Sequence, residues 1–169
     1  MRRLSLKRLT RKNSAEPVRE RFWELPLADL TQAEWEQLCD GCARCCLLKI
    51  EEDEPAPDGQ PVIHFTRVSC RFLNRASARC SVYRRRQKKM PDCVVMDIHN
   101  LPTALHWIPS TCAYKLRYQD QPLPSWHPLL TGSTQAMQEA GITVAGRVIS
   151  EDDVHDDDLE EQIIRWVEA

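Results

Sequence analysis

The stretch "LCDGCARCCLLK", residues 38–49, holds four cysteines in eight positions: Cys39, Cys42, Cys45 and Cys46. The chain has four more, Cys70, Cys80, Cys93 and Cys112. Thiols this dense serve as disulfides, as a redox pair or as metal ligands, and the choice decides what organises the fold. Two successive x2 gaps let a tight loop aim three thiolates at one point, at about 2.3 Å from a zinc ion. The same run opens the bacterial ferredoxin pattern C-x2-C-x2-C-x3-C-P. Here the fourth position of that pattern is missing, so a distant residue must close the site. Cys45 and Cys46 are neighbours, and neighbouring side chains diverge by about 100° on a helix or point to opposite faces of a strand. One metal ion is not easily held by both. Each serves a different centre, or one is a spare reactive thiol; a vicinal disulfide between them would be strained.

Eight cysteines suffice for two four-thiolate sites, or for one cluster plus a zinc. His64 and His127 are candidate substitutes, although a surface or hydrogen-bonded role is the first reading of each. A thioredoxin-like couple would need a βαβ pattern around its C-x2-C, and none surrounds this one. Eight independent buried thiols would not crowd four into one short loop.

The remaining composition bounds the compartment and the class. At 169 residues the chain is expected to form one domain. Eleven prolines against five glycines point to fixed turns and short elements. The net charge is −2, unevenly spread. "MRRLSLKRLTRKN" is basic without an acid, "RRRQKK" (84–89) is a second basic run, and "EDDVHDDDLEEQ" is acidic. No window approaches the roughly 20 apolar residues of a membrane span, and the basic start lacks the apolar region of a secretory signal. A cytoplasmic, reducing location is therefore expected, which turns the cysteines away from disulfides and toward metal or redox chemistry.

Along the chain, residues 1–15 read as a disordered basic arm. Residues 16–169 read as a single cysteine-rich domain. "TQAEWEQLC" predicts a helix capped by Thr31, with Glu34 completing a capping box, and that helix delivers the chain into Cys39. "VIHFTRV" reads as a strand. With the segment before the loop "PAPDGQP" it would form a hairpin that carries Cys46 toward Cys70. Residues 70–127 read as mostly irregular, with covering loops around Trp107 and Trp126. "STQAMQEAG" predicts a short helix stopped by Gly141, and "ITVAGRVI" a strand, or two with a turn at Gly146. "DDDLEEQIIRWVEA" predicts a terminal helix with Leu159, Ile163, Trp166 and Val167 on one face and acids at its start.

"CDGCARCC", Cys70, "CSVYRRR", "PDC" and "TCAY" together resemble the bacterial CxxCxxCC family, described as zinc- or iron-chelating. "WIPSTCAYKL", "WHPLLTG" and "AGITVAGRVISEDD" are similar to its uncharacterised YcgN-like branch. The likeness covers roughly residues 21–155. It implies a cytoplasmic bacterial protein whose cysteines chelate metal, with no reaction attached to this branch. Relatives in the wider family are linked to protein lysine methylation. Many of them carry Arg-Pro after the tyrosine of the CxxY element, whereas here Arg86 is followed by Gln87. A transfer of that activity is weakened accordingly.

The expectation is thus a small α+β, loop-rich domain organised around cysteine-ligated metal, its ligands drawn from Cys39, Cys42, Cys45, Cys46, Cys70, Cys80, Cys93 and Cys112. Cys39, Cys42 and Cys45 would share one centre with a distant cysteine. Cys46 and the others would supply the remaining coordination. The cofactor expected is an iron–sulfur cluster or zinc, with the ferredoxin-like spacing favouring the cluster. Three functions stay open: metal storage, sensing or delivery; an iron–sulfur-dependent protein-modifying enzyme; and an interaction module with structural zinc. "YRRRQKKMPDC" reads as a solvated face, with neutralisation of an anionic metal site and contact to a polyanion as alternatives. A nucleic-acid partner is not expected, and a protein partner stays open.

Overall fold

Thr31 begins the first helix, α1 (Gln32–Leu38), as the capping box predicts. Its hydroxyl accepts from the Glu34 amide at 3.3 Å, and the Glu34 carboxylate accepts from the Thr31 amide at 2.9 Å. These bonds satisfy two amides that the first helical turn leaves without partners. Glu34 is fully buried and also receives the Arg19 guanidinium and amide. That hydrogen bonding holds its carboxyl well below the usual range. Replacing Thr31 with alanine is expected to lower stability by about 1 kcal/mol, read from chemical denaturation; unchanged stability would show the cap to be dispensable.

The computed structural model describes residues 17–169, so the predicted basic arm lies outside the described residues. Before α1 the chain makes two short 3-10 turns, Phe22–Glu24 and Leu27–Asp29. After it comes the cysteine loop and then the predicted hairpin. Strands β1 (Leu47–Glu51) and β2 (Ile63–Ser69) pair antiparallel, with Lys49 opposite Phe65 and Glu51 opposite Ile63. The register shifts between Leu47 and Lys49, where the Thr66 hydroxyl donates to the Leu48 carbonyl at 2.9 Å. A two-stranded hairpin follows, β3 (Leu73–Asn74) with β4 (Arg79–Cys80).

The stretch expected to be irregular contains short helices: α2 (Arg86–Lys89), α3 (Leu101–Ala104) and α4 (Ala113–Tyr118). Then come α5 (Pro128–Thr131) and α6 (Gln135–Glu139). Gly141 follows α6 at φ +67°, in the left-handed region, consistent with its reading as a helix stop. "ITVAGRVI" turns at Gly146, as expected, but gives only one short strand, β5 (Ile149–Ser150). This strand lies parallel to β2, making a three-stranded sheet in the order β1-β2-β5.

The predicted terminal helix does not form. Residues Asp156–Asp158 and Glu160–Gln162 make separate 3-10 turns, and the chain then extends. Ile163 bridges to Thr66, and the Ile164 amide donates to the Phe65 carbonyl at 2.8 Å. Two forces oppose a helix here. The His155 ring accepts from the Asp157 amide, a local alternative to helical bonding. The edge of β2 that β5 leaves open also captures the segment as a strand partner. The apolar face read from periodicity is only partly used: Val167 is buried, Ile164 and Trp166 pack against the sheet, and Ile163 is exposed.

Three apolar clusters hold the chain together, and residues 38–47 touch all of them. Leu38 sits in the first, with Phe22, Trp35, Leu101, Ile108 and Tyr114. Ala43 and Leu47 sit in the second, with Phe65, Leu73 and Val144. Cys42 packs in the third, with Met137 and Ile142. The cysteine loop is therefore the segment through which the separate small cores meet.

Candidate metal centre

α1 ends at Leu38, and Cys39 is its C-cap. The loop that follows curls tightly because two of its residues take left-handed backbone angles, Gly41 at φ +73° and Ala43 at φ +61°. A side chain at Gly41 would be strained on that account, and a Cβ there would also come within 2.9 Å of the Arg79 guanidinium. The Asp40 carboxylate tightens the turn by accepting the Cys42 amide through Oδ1 at 2.9 Å. Cys45 and Cys46 close the loop within a 3-10 turn, Arg44–Cys46, which leads straight into β1.

The distant cysteines arrive on separate elements. Cys70 follows β2, and its amide donates to the Cys46 carbonyl at 3.0 Å, so the hairpin carries Cys46 to Cys70 as expected. The Leu73 amide donates to the Cys70 carbonyl at 2.9 Å, and Leu73 pairs with Cys80 across β3 and β4. Cys93 ends a turn just after α2, its amide donating to the Met90 carbonyl. Cys112 is the N-cap of α4 and is brought to the loop from both sides. The neighbouring Thr111 hydroxyl accepts from Arg44 at 3.2 Å. Tyr114 stacks on Trp35 with ring centroids 4.7 Å apart and donates its hydroxyl to the Trp35 carbonyl.

All eight cysteines are free thiols, and several act on one another's charge. Burial lifts Cys39 above the ordinary thiol range, and the nearby Cys45 and Cys112 charges add to the shift. Burial lifts Cys42 too, with Asp40, Cys45 and Cys39 contributing. Burial pushes Cys112 up to about 12. Cys46 donates its S–H to Cys45, which holds Cys45 down at about 7 and drives Cys46 upward. Cys70 and Cys93 are raised mainly by burial, and each senses Cys80. Cys39 and Cys45 are exposed.

These shifts predict how the metal-free protein responds to alkali. A thiol raised in the fold keeps its proton where an unfolded cysteine has lost its own. Its contribution to stability is whole below about pH 9 and is lost as the pH climbs toward about 12, the Cys112 value. Cys45 works in the opposite sense: its contribution is present above pH 9 and fades as the pH falls toward about 7. The raised thiols outnumber it, so the melting temperature of metal-free protein is expected to fall from pH 9 upward. Melts across that range check this, and a flat profile would contradict it.

Positive charge lies beside the same thiols, and the buried Asp40 carboxylate acts on Arg44. Arg44 is 5% exposed and donates to the Ile142 carbonyl at 2.7 Å and the Gly141 carbonyl at 3.2 Å, besides Thr111. Lys49 donates to the Cys45 and Leu47 carbonyls and lies over the Phe65 and Trp107 rings. Lys115 donates to the Leu105 carbonyl at 2.7 Å. Among the described residues none of the three forms an ion pair with a carboxylate. Burial lowers the pKa of each, while nearby negative charge raises it: Cys42 and Asp40 for Arg44, Cys45 and Cys46 for Lys49, and Cys112 for Lys115.

Asp40, Arg44 and Lys49 were not singled out as site residues from sequence. Asp40 is 7% exposed, and its Oδ2 has no hydrogen-bond partner among the described residues. Its charge raises Cys39, Cys42 and Cys112. The Asp-Gly pair inside the loop signals a turn, but not an unpartnered oxygen.

The histidines are accounted for elsewhere. His127 is buried and donates Nε2–H to the Leu38 carbonyl at 3.2 Å, while its Nδ1 accepts the Leu129 amide at 3.1 Å. Both ring nitrogens are engaged, so His127 anchors the residue before Cys39 and offers no lone pair to a metal. Burial lowers its pKa, in keeping with the neutral ring. His64 pairs with Glu52 at 2.5 Å on the sheet. In the basic run, Arg84 and Arg85 are exposed and Arg86 is half-buried. It stacks over Tyr83 and its charge lowers Cys93. The Tyr83 hydroxyl donates to Glu36 at 2.5 Å rather than to a sulfur.

Among the described residues, no three His, Cys, Asp or Glu side chains stand together as a ready-made metal cage. The Cys46 and Cys45 side chains are hydrogen-bonded to each other, and backbone amides donate to Cys39, Cys42, Cys70 and Cys112. No helix of the described residues is long and apolar enough to cross a membrane.

The architecture defines a small mixed α+β protein whose cysteine loop joins its cores. By sequence, the chain belongs to the UPF0260 family of bacterial proteins. It is 42% identical over 147 residues to a UPF0260 protein of Marinobacter nauticus, covering 86% of this chain and 95% of that one. It is 43% identical over 147 residues to one from Rhodobacter capsulatus, covering 87% and 95%, and 41% identical over 148 residues to one from Parvibaculum lavamentivorans, covering 87% and 93%. No family model matches the chain, and no solved structure matches it. The likeness to the CxxCxxCC family rests on the residues quoted for it above.

Proposed function

We propose that this protein is a cytoplasmic metal-binding protein whose cysteines hold an iron–sulfur cluster, zinc or both. The observation that supports the reading is the dense free thiols of the loop, beside Arg44, Lys49 and Lys115, cations that have only neutral oxygens for hydrogen-bond partners. Buried Arg44 has the Asp40 carboxylate charge near it, and a buried cation is stabilised by further negative charge. Four thiolates around a divalent ion leave a net charge of about −2, which supplies it. The unpartnered Asp40 oxygen suits the same setting, since a buried polar atom left alone calls for an ion or a water. Ferredoxin-like spacing in the loop favours the iron–sulfur cluster. Bound metal would tie the loop to segments far along the chain, so its contribution to folding is direct.

Thiol protection tests this reading. Purified native protein is treated with an alkylating reagent before and after a strong chelator. Protected thiols that become reactive only after chelation are expected. Eight thiols reacting at one free rate in both conditions would overturn the reading.

A further inference from the structure

We infer that residues 163–169 form a strap that closes over the flank of the cysteine loop and the segment before Cys112, seated by Trp166 on two arginines, and that this strap opens as a unit to expose them. The opening itself does not depend on the metal-binding reading above; its bearing on metal uptake rests on that reading.

Three contacts make a closed circuit. Arg44, inside the cysteine loop, donates to the Thr111 hydroxyl at 3.2 Å. One residue earlier, the Ser110 amide donates to the Glu168 carbonyl at 2.8 Å. Trp166 then brings its ring back over Arg44, whose guanidinium carbon lies 5.8 Å from the ring centroid. Loop, Cys112 segment and strap are thus each tied to the other two. Arg147 completes the seat, its guanidinium carbon 3.6 Å from the Trp166 centroid. Both arginines donate to the Gly141 carbonyl, Arg147 at 2.7 Å and Arg44 at 3.2 Å. Two like charges converge there, and the electron-rich face of an indole stabilises such cations. Val167 is 4% exposed and belongs to the cluster that holds Ala43 and Leu47, against which Ile164, Trp166 and Cys46 also pack. The strap therefore covers the side of the loop from which Cys46 leads into β1.

The same segment is lightly held. Beyond the turn that precedes it, its backbone reaches the rest of the fold, among the described residues, through two hydrogen bonds: Ile164 to Phe65 at its start and Ser110 to Glu168 at its end. The Ile164 amide makes its last rung on β2. Past that rung a cavity of about 400 Å³ opens between strand and strap, lined by Ile63 and His64 on one side and by Arg165 and Glu168 on the other. Ile163, Arg165, Glu168 and Ala169 are exposed. A segment with few backbone bonds and exposed flanks sits at the low end of local stability. Because one indole lies between its two points of attachment, freeing Trp166 frees both.

Residue-resolved amide exchange on the full chain, as purified, tests this. The Ile164 and Ser110 amides are expected to exchange together, and about tenfold or more faster than the Trp35 amide of α1. In Trp166→Ala both are expected to exchange about tenfold faster again, with Trp35 unchanged. On the same samples, iodoacetamide is expected to label Cys46 and Cys112 faster, relative to Cys93, in the variant than in the native chain. Strap amides exchanging at the Trp35 rate in the native chain would make the segment part of the core and overturn the inference. So would unrelated rates at Ile164 and Ser110, or a variant in which all three thiols gain reactivity alike. The native measurement needs no variant and decides alone if Trp166→Ala fails to fold. Metal analysis of the same samples is read separately: absence of bound metal would overturn the metal-binding reading and leave the strap standing.

Discussion

Cys42→Ser is expected to cost the protein metal and stability together. Cys42 is 7% exposed and packs with Met137 and Ile142, and the Val144 amide donates to its carbonyl at 3.1 Å. It stands at the middle of the loop through which the apolar clusters meet. Serine is nearly isosteric but a poor ligand for soft metals, and its hydroxyl has to be buried in an apolar setting, at about 1–3 kcal/mol. The loss of coordination adds to that. Structural zinc contributes on the order of 10 kcal/mol to small metal-nucleated folds, so losing one centre is expected to lower the melting temperature far more than an ordinary core substitution. Metal analysis and a thermal melt on the same sample check this. Retained metal with unchanged melting would remove Cys42 from the ligand set.

The second large effect is expected at Arg44. Its guanidinium is buried and holds the carbonyls of Ile142 and Gly141 and the hydroxyl of Thr111. It thereby fastens the cysteine loop to the turn after α6 and to the Cys112 segment. Arg44→Met keeps much of the volume but leaves those oxygens without a donor, at about 1–3 kcal/mol for each one left unsatisfied. It also removes the buried positive charge nearest Cys42. Bound metal is therefore expected to be lost to a chelator faster in Arg44→Met than in the native chain, while an exposed-charge variant, Arg84→Met, retains it. Equal loss rates in both variants would reduce Arg44 to a structural tie.

Much of the site's frame was legible because it depends on local rules. A capping box at Thr31 and Glu34 announces a helix that ends at Cys39. The strand-like alternation of "VIHFTRV" after "PAPDGQP" announces a hairpin, and the hairpin alone brings Cys46 to Cys70. What stayed hidden depends on contacts far apart in the chain. The pairing of Cys112 with the loop comes from an aromatic stack and a buried arginine, neither of which has a sequence period. Arg44, read in sequence, is an ordinary charged residue between cysteines; its burial follows only once residues 141 and 142 turn back onto it. The terminal segment shows the reverse error. Its apolar spacing suits a helix, but the open edge of β2 beside Thr66 and Phe65 offers pairing that helical periodicity does not anticipate. His127, weighed as a substitute ligand, is occupied at both nitrogens by backbone groups that folding delivers.

The measurement that tests the central claim most directly is metal and sulfide analysis, with a visible spectrum, of protein purified without oxygen. Iron with sulfide and broad absorption near roughly 400 nm, or colourless protein with stoichiometric zinc, is the result the account predicts. Protein carrying neither metal, with all eight thiols open to reagent, would contradict it.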